Sequence, residues 1–277
     1  MPNDALAQAE EILRRHLPQR RGEPVRLLGE GWDYTCVLVG VDLVLRISRA
    51  RTPRRRLLQE AAVTRLLEGS LPLLVPQLRL LGGGQAVAAA YPYVAGNQAQ
   101  IAGGNLALLG HFLRSLHAVP RSAVMAAGIG WVQWSGGGRA WEDGLRRYLA
   151  KANQAVSPHL PWERRKALAR RVGAFLSDPD NFRFAARLIH ADLSPEHLLA
   201  DPRSGVLQAV IDFGDAGLGD PAYDVRPEWT PYYRPVGKTF RARQRFYRFL
   251  EPLHGALYAV ETVDEAALRS ALGRLDL

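Results

Sequence analysis

The stretch LIHADLSPEHLL, residues 188–199, begins with an apolar run typical of a buried strand and turns polar at His190. Asp192 follows the apolar run and stands five positions before His197. A carboxylate and an imidazole just past a strand are typical of a metal or phosphate site. An ordinary strand-to-turn junction has the same pattern, so this stretch by itself leaves both interpretations open.

A second stretch, VLQAVIDFGDAGLGDPAYD at residues 206–224, repeats the pattern, with Asp212 directly after an apolar run. Strand ends present side chains to a shared cleft, and two carboxylates there repel each other unless a cation or a proton separates them. Together the two stretches indicate a divalent cation with Asp212 and His197 as ligands. Asp192 is then free to meet a substrate hydroxyl.

The N-terminal third contains a glycine pair between two predicted strands, in LLGEGWDYTCVLV at residues 27–39. Backbone amides near Gly29 and Gly31 can approach a phosphate closely, although plain hairpin turns use the same pattern. No Gly-Lys-Ser/Thr follows, which excludes a Walker-type loop. Arg46 on a following strand and Glu60 inside the next helix form a pair that can hold nucleotide phosphates, or Arg46 is one more member of a basic run.

Hydrophobic periodicity divides the chain into two parts that join near residues 93–96. The first part is rich in strands, and the second is mostly helical from about residue 101 onward. The predicted helices include 3–16, 54–69, 106–117, 141–151 and 162–176, and the predicted strands include 25–30, 35–41, 43–48, 86–94, 187–190 and 206–213. For the second helix the pattern predicts an apolar stripe of Leu57, Leu58, Ala61, Ala62 and Leu66.

Composition favours an ordinary globular protein, with 47% hydrophobic and 23% charged residues in a chain of 277. The single Cys36 excludes an internal disulfide, and no signal peptide or membrane-length apolar run is found, so we expect a cytoplasmic protein without a membrane partner. The net charge of +9 suits a polyphosphate ligand as well as nucleic acid. Because no nucleic-acid-binding motif is present, we expect no nucleic-acid partner.

The two C-terminal stretches resemble the catalytic and metal-binding segments of the aminoglycoside phosphotransferases, which are protein-kinase-like kinases of small molecules. GEGWDYTCVLV, LVLRIS and the helix of Glu60 resemble the N-terminal lobe of the same family, so the resemblance extends from about residue 27 to residue 229. It implies a two-lobed α+β kinase-like fold, with a small antiparallel-sheet lobe over residues 1–94 and a larger helical lobe over residues 95–277.

The resemblance also implies roles for individual residues. Asp192 is expected to be the catalytic carboxylate, and His190 is expected to support its loop. Asp212 is expected to bind the Mg²⁺ of ATP or GTP, while Asp220 and Asp224 are expected to be mainly structural. The expected nucleotide-binding residues are Gly29, Gly31, Arg46, Glu60, Tyr91, Tyr93 and Val94, the last three in a hinge whose backbone contacts the base.

Two positions depart from the commonest family pattern. His197 stands where most relatives have asparagine, and imidazole nitrogen suits Mg²⁺ less well than an amide oxygen. Arg46 stands where many kinases have lysine, and it presents a forked cation to phosphate. The histidine is similar to that of some two-double-prime aminoglycoside phosphotransferases and of macrolide phosphotransferases, and the LVLRIS form with Arg46 is similar to macrolide phosphotransferases.

The predicted function is ATP- or GTP-dependent transfer of the γ-phosphoryl group to a hydroxyl of a small molecule, with aminoglycoside and macrolide antibiotics as candidates. A metabolite kinase of the sugar, choline or homoserine type and a nucleotide-binding pseudokinase remain alternatives, and the oligomeric state is open. The predicted acceptor region consists of 128–144 and 227–235. Its candidate contacts are Trp131, Trp134, Trp229, Tyr232 and Tyr233, with the acidic residues Glu142, Asp143, Glu196, Asp215 and Glu228.

Overall fold

The computed structural model describes residues 2–31, 33–49, 54–82, 88–132 and 140–277. Trp134, which was a candidate for acceptor contact, lies outside these residues. Among the described residues, no helix combines the length and apolar character needed to cross a bilayer.

The N-terminal part is a five-stranded antiparallel sheet with one helix on each face. Its elements are α1 (Pro2–His16), β1 (Val25–Glu30), β2 (Tyr34–Val39), β3 (Leu43–Ser48), α2 (Arg54–Leu66), β4 (Arg79–Leu81) and β5 (Ala88–Pro92). The strand order is β1-β2-β3-β5-β4. Strands β2 and β3 meet in register with Cys36 opposite Arg46, and Arg46 in turn lies opposite Ala89 on β5.

Strand alternation decides which way Arg46 points. Successive side chains of a strand face opposite sides of the sheet. Leu45 and Ile47 pack into the cluster under α1, so Arg46 between them faces the side of α2. On α2, Leu57, Glu60 and Ala61 are buried and lie within one helical turn of each other, which brings Glu60 toward Arg46.

The C-terminal part is mainly helical around one large apolar cluster. Its elements are β6 (Asn97–Gln98), α3 (Gly104–Ala118), α4 (Arg121–Ala126), α5 (Ala140–Val156), α6 (Trp162–Ser177), β7 (Arg187–Ile189), β8 (Leu198–Ala200), β9 (Leu207–Val210), β10 (Gly217–Gly219), α7 (Thr230–Tyr233), α8 (Lys238–Thr262) and α9 (Glu265–Arg274). Aromatic contacts hold α6 to α8, since the rings of Phe175 and Phe246 stack with centroids 3.6 Å apart. The two-lobed α+β fold class is therefore confirmed.

Several details differ from the sequence-based expectations, including the end of α2 at Leu66 and the extension of α5 to Val156. Strand β2 ends at Val39, because Gly40 turns the chain with φ of 59°. Strand β9 ends at Val210 rather than at residue 213. Asp212 has a φ of 64°, which is outside the range of a β-strand. On α2, Leu58 is exposed, and the buried face contains the polar Glu60 and Thr64 instead.

Candidate active site

The cleft between the two parts contains one buried cation bonded to two carboxylates. The Nη1 atom of Arg46 lies 2.8 Å from Oε1 of Glu60, and its Nη2 atom lies 2.7 Å from Oδ1 of Asp212. Arg46 and Glu60 are almost completely buried, and Asp212 is partly exposed. Gly214 borders the cluster closely, since an added Cβ would lie 3.1 Å from Nη2 of Arg46. This bond joins Arg46 to Asp212, which are 166 positions apart in the sequence.

Several polar atoms in this cluster lack a hydrogen-bond partner in the described structure. They are Nε of Arg46, Oε2 of Glu60 and the hydroxyl oxygen of Tyr34, whose ring lies 4.0 Å from the guanidinium carbon of Arg46. Buried polar groups are nearly always paired, and leaving one unpaired costs about 1–3 kcal/mol. Such a cluster is typical of a site that a polar ligand completes.

The carboxylates of the cleft differ in acidity. Burial alone would raise the pKa of Asp212, but Arg46 and His197 oppose this and hold the pKa at about 2. Burial raises the pKa of Glu60 to about 7 against the opposing effect of Arg46. Asp192 has a pKa of about 7, because burial and the charges of Asp215 and Asp212 outweigh His197. Asp212 is therefore a permanent anion suited to a metal, whereas Asp192 can exchange a proton near neutrality.

The loop of Asp192 rests on a buried carboxylate. Asp224 accepts backbone N–H bonds from His190 at 2.8 Å and from Ala191 at 2.9 Å, and its Oδ2 lies 3.1 Å from Nε2 of His117. Ala191 has a φ of 67°, an uncommon conformation for a residue with a Cβ. The bonds from Asp224 hold this conformation, and the side chain of Asp192 is left 52% exposed at the cleft.

His190 connects this loop to the segment of Asp212. Its Nε2 lies 3.0 Å from the carbonyl oxygen of Ile211, and its Nδ1 accepts from the N–H of Asp192 at 3.3 Å. Burial lowers the pKa of His190 to about 4, so the ring is neutral and Nε2 carries the proton. The structure thus gives His190 the supporting position expected from the sequence.

His197 lies between the two carboxylates. Its Nδ1 is 2.7 Å from the carbonyl oxygen of Asp192, and its Nε2 is 3.8 Å from Oδ2 of Asp212. Its Nδ1 also lies 3.7 Å from Oδ2 of Asp192, so the two ring nitrogens face the two carboxylates. No group of three or more potential metal ligands occurs in the described part of the chain.

The remaining predicted nucleotide-binding residues border the cleft in different ways. Gly29 is in β1 beside a register shift, and the N–H of Gly31 closes the hairpin onto the carbonyl oxygen of Tyr34 at 2.8 Å. Tyr91 lines a small cavity together with Arg46, Glu60 and Asp212. The N–H of Tyr93 already donates to the carbonyl oxygen of Asp42 at 2.7 Å, and Val94 follows it as a partly buried residue.

A pocket of about 370 Å³ opens beside Asp192, and a second one of about 470 Å³ adjoins it. Their walls come from the loop of Asp192 and from α5 and α8. The lining side chains include Arg56, Tyr148, Lys151, Glu196, Asp215, Tyr223, Arg226, Tyr247, Arg248, Glu251, His254, Tyr258 and Glu261. Most of the pocket carboxylates are paired, as Lys151 lies 2.5 Å from Glu261, Arg226 lies 2.9 Å from Glu251, and Arg56 contacts Asp215.

Residues 24–266 match the sequence profile of the phosphotransferase enzyme family. The chain is a member of the phosphotransferase enzyme family.

Solved structures share the fold of this phosphotransferase at low sequence identity. The GDP and kanamycin complex of APH(2")-IIia aligns with a TM-score of 0.82 and 22% identity over 97% of both chains. Macrolide 2'-phosphotransferase type I aligns with a TM-score of 0.71 and 23% identity over 98% of this chain and 97% of that one. ADP-bound APH(2'')-Ib gives 0.70 and 18% over 96% of both chains. No curated protein gives a significant match.

The phosphotransferase brings most of the predicted site residues together, but its acceptor wall differs from the sequence-based expectation. Trp229 and Tyr233 are buried in the apolar cluster, and the hydroxyl of Tyr233 lies 2.9 Å from Nδ1 of His117. Of the five acidic candidates, Glu196 and Asp215 line the pockets. The pocket residues of α5 and α8 were not predicted from the sequence. Their helical spacing indicates only which face of each helix packs, and not that the face lines a pocket.

Proposed function

We propose that this chain is a Mg²⁺-dependent kinase that transfers the γ-phosphoryl group of ATP or GTP to a hydroxyl of a small molecule. The observation that carries the proposal is the buried Arg46 cluster with unpartnered polar atoms, beside the half-exposed Asp192. In this proposal residues 1–94 form the nucleotide-binding lobe, and residues 95–277 supply the catalytic loop and the acceptor pocket.

The side chains supply most of the required chemistry by position. Asp192 orients the acceptor hydroxyl and takes its proton as the hydroxyl oxygen bonds to the γ-phosphorus and the bond from that phosphorus to the bridging oxygen of the nucleotide breaks. Arg46 offers its guanidinium to the phosphates, while Glu60 keeps it in place. Asp212, with Nε2 of His197 beside it, holds the metal ion, which neutralises phosphate charge when bound. Gly29 and Gly31 cover the phosphates, and the backbone of Tyr91, Tyr93 and Val94 borders the base.

The charges of the acceptor pocket suit the binding of an antibiotic with few positive charges better than the binding of a polycation. A polycation requires several unpaired carboxylates, whereas Glu251, Glu261 and Asp215 already pair with arginine or lysine. Withdrawing Glu251 and Asp215 would leave the largely buried Arg226 and Arg56 without these partners, which is costly, whereas the exposed Lys151 would lose little. The proposed acceptor is therefore of the macrolide kind rather than an aminoglycoside, with hydroxylated metabolites as the alternative outcome.

The test is a kinase screen of macrolides, aminoglycosides, sugars, choline and homoserine with ATP and with GTP, read by the mass of the product. Asp192→Ala is expected to abolish turnover and to retain nucleotide binding. Asp201→Ala is the matched control, because Asp201 accepts bonds within its own turn and lines neither pocket beside Asp192. Substantial turnover by Asp192→Ala, or no phosphorylated product from any acceptor, would contradict the proposal.

A further inference from the structure

Arg56 on α2 lies where three parts of the site meet. They are the glycine hairpin between β1 and β2, the segment of Asp212, and the acceptor pocket. Its Nη1 contacts Asp33, which follows the glycine pair, and its Nη2 contacts Asp215. The same side chain lines the pocket that contains Asp192. It is 17% exposed, so it is partly withdrawn from water and still reaches the pocket.

The site needs a cation at this point. Phosphoryl transfer spreads negative charge over the oxygens of the transferred group, midway between the nucleotide and the acceptor hydroxyl. Arg46 is the more deeply buried of the two arginines, since its side chain is 6% exposed and that of Arg56 is 17% exposed. Arg56 contacts Asp33, which follows the glycine pair, and lines the same pocket as Asp192, the carboxylate proposed to receive the hydroxyl proton.

The surroundings of Arg56 keep it charged and in place before any substrate binds. Two carboxylates from different segments contact its two terminal nitrogens, and its Nε is buried without a partner in the described structure. A guanidinium held in this way needs little reorganisation when charge develops on a neighbouring phosphoryl group. Such donors contribute about 10²–10³-fold to turnover in other enzymes.

We propose that Arg56 is a catalytic residue that contacts the transferred phosphoryl group and stabilises its charge in the transition state. The inference rests on the proposed kinase function and adds a residue to it. The alternative is that Arg56 acts only through Asp33, as a clamp that positions the hairpin.

The experiment compares Arg56→Gln, Arg56→Lys and Asp33→Asn with the wild type. The readout is slow nucleotide hydrolysis, in which water is the acceptor, so that the identity of the acceptor is not required. Arg56→Gln is expected to lower kcat by about 10²-fold with KM for the nucleotide within threefold, and Arg56→Lys to recover part of the loss. Asp33→Asn is expected to lower kcat less than tenfold. Arg54→Gln, at an exposed position on the same helix, is the matched control.

Two outcomes would overturn the assignment. One is a kcat of Arg56→Gln within threefold of the wild type, and the other is an equal loss in Asp33→Asn, which a clamp would produce. If the wild type hydrolyses no nucleotide, calorimetry of ADP and GDP with Mg²⁺ and aluminium fluoride replaces the rate assay. Selective loss of the fluoride complex in Arg56→Gln supports the role, and an unchanged fluoride complex refutes it. Failure of the proposed kinase function is read separately, from the acceptor screen of the wild type.

Discussion

Two buried carboxylate networks meet at the cleft, and they differ in how completely they are paired. Asp224, beneath the catalytic loop, accepts from His190 and Ala191 and lies against His117. In the network around Arg46, Arg46 and Glu60 are also buried, yet Nε of Arg46 and Oε2 of Glu60 have no partners in the described structure. Complete pairing is what a network needs to hold a fold together, whereas incomplete pairing is typical of one that a ligand completes.

This difference predicts that substitutions in the two networks have separable consequences. Changes around Asp224 should act on folding, and changes around Arg46 should act on nucleotide binding and turnover. The four predictions below test this separation.

The largest expected effect is that of Asp212→Asn. The variant loses the permanent anion, so we expect about a 10³-fold loss in turnover and loss of Mg²⁺-dependent nucleotide binding. Its free energy of unfolding should fall by about 1–2 kcal/mol, less than in Asp224→Asn, because Arg46 stabilises the Asp212 anion in the folded state and partial exposure weakens this effect. Calorimetric titration with and without Mg²⁺, with urea unfolding alongside, measures both quantities. Unchanged metal dependence would count against the role of Asp212.

Asp224→Asn should show the opposite pattern. Its charge is fully buried, and the pKa of Asp224 is lowered because His117 and the N–H of His190 outweigh the effect of burial. Removing it should lower the free energy of unfolding by about 3 kcal/mol, while the folded fraction keeps its nucleotide affinity. Urea unfolding measures the loss, with the exposed Glu228→Gln as control. If Asp224→Asn were as stable as the control, the proposed difference between the Asp224 network and the Arg46 network would be wrong.

Glu60→Gln should have a smaller effect, mainly on binding. The amide keeps an oxygen for Arg46 but loses the charge that holds the guanidinium, so we expect nucleotide Kd to rise about tenfold, or about 1.4 kcal/mol. Because burial already raises the pKa of Glu60 to about 7, its charge adds little to the fold. A stability loss as large as that of Asp224→Asn would show that both networks support the fold.

The smallest effect is the pH response of His190. Its pKa falls from 6.5 to about 4 on folding, so folding favours the neutral ring. This contribution is complete above pH 6.5 and decreases as the pH falls toward 4. Between pH 6.5 and 5.5 it should diminish by about 1 kcal/mol. The check is the difference in unfolding free energy between the wild type and His190→Gln at the two pH values, and an unchanged difference would refute it.

The sequence predicts the parts of the site that depend on local pattern. Strand alternation directs Arg46, helical spacing directs Glu60, and the apolar runs before Asp192 and Asp212 place both carboxylates at strand ends. The left-handed backbone of Ala191 has no such signal, because alanine rarely adopts it, and that of Asp212 has only a weak one, because aspartate adopts it more often than most residues.

Contacts between segments that are distant in the chain could not be predicted from the sequence, because no local pattern marks them. The contacts of Arg56 with Asp33 and Asp215 join three segments that are far apart in the chain. Trp229 and Tyr233 have the composition of a ring-binding surface and are nonetheless buried, because apolar area is worth more inside the core than in an open pocket.

The neutral ring of His190 has a mechanical consequence. The ring accepts a hydrogen bond from the N–H of Asp192 and donates one to the carbonyl of Ile211. These two bonds connect the segments of Asp192 and Asp212 within one lobe. Arg46, Glu60 and the glycine hairpin belong to the other lobe. Asp192 and Asp212 are therefore expected to keep their positions relative to each other when a nucleotide enters or leaves the cleft.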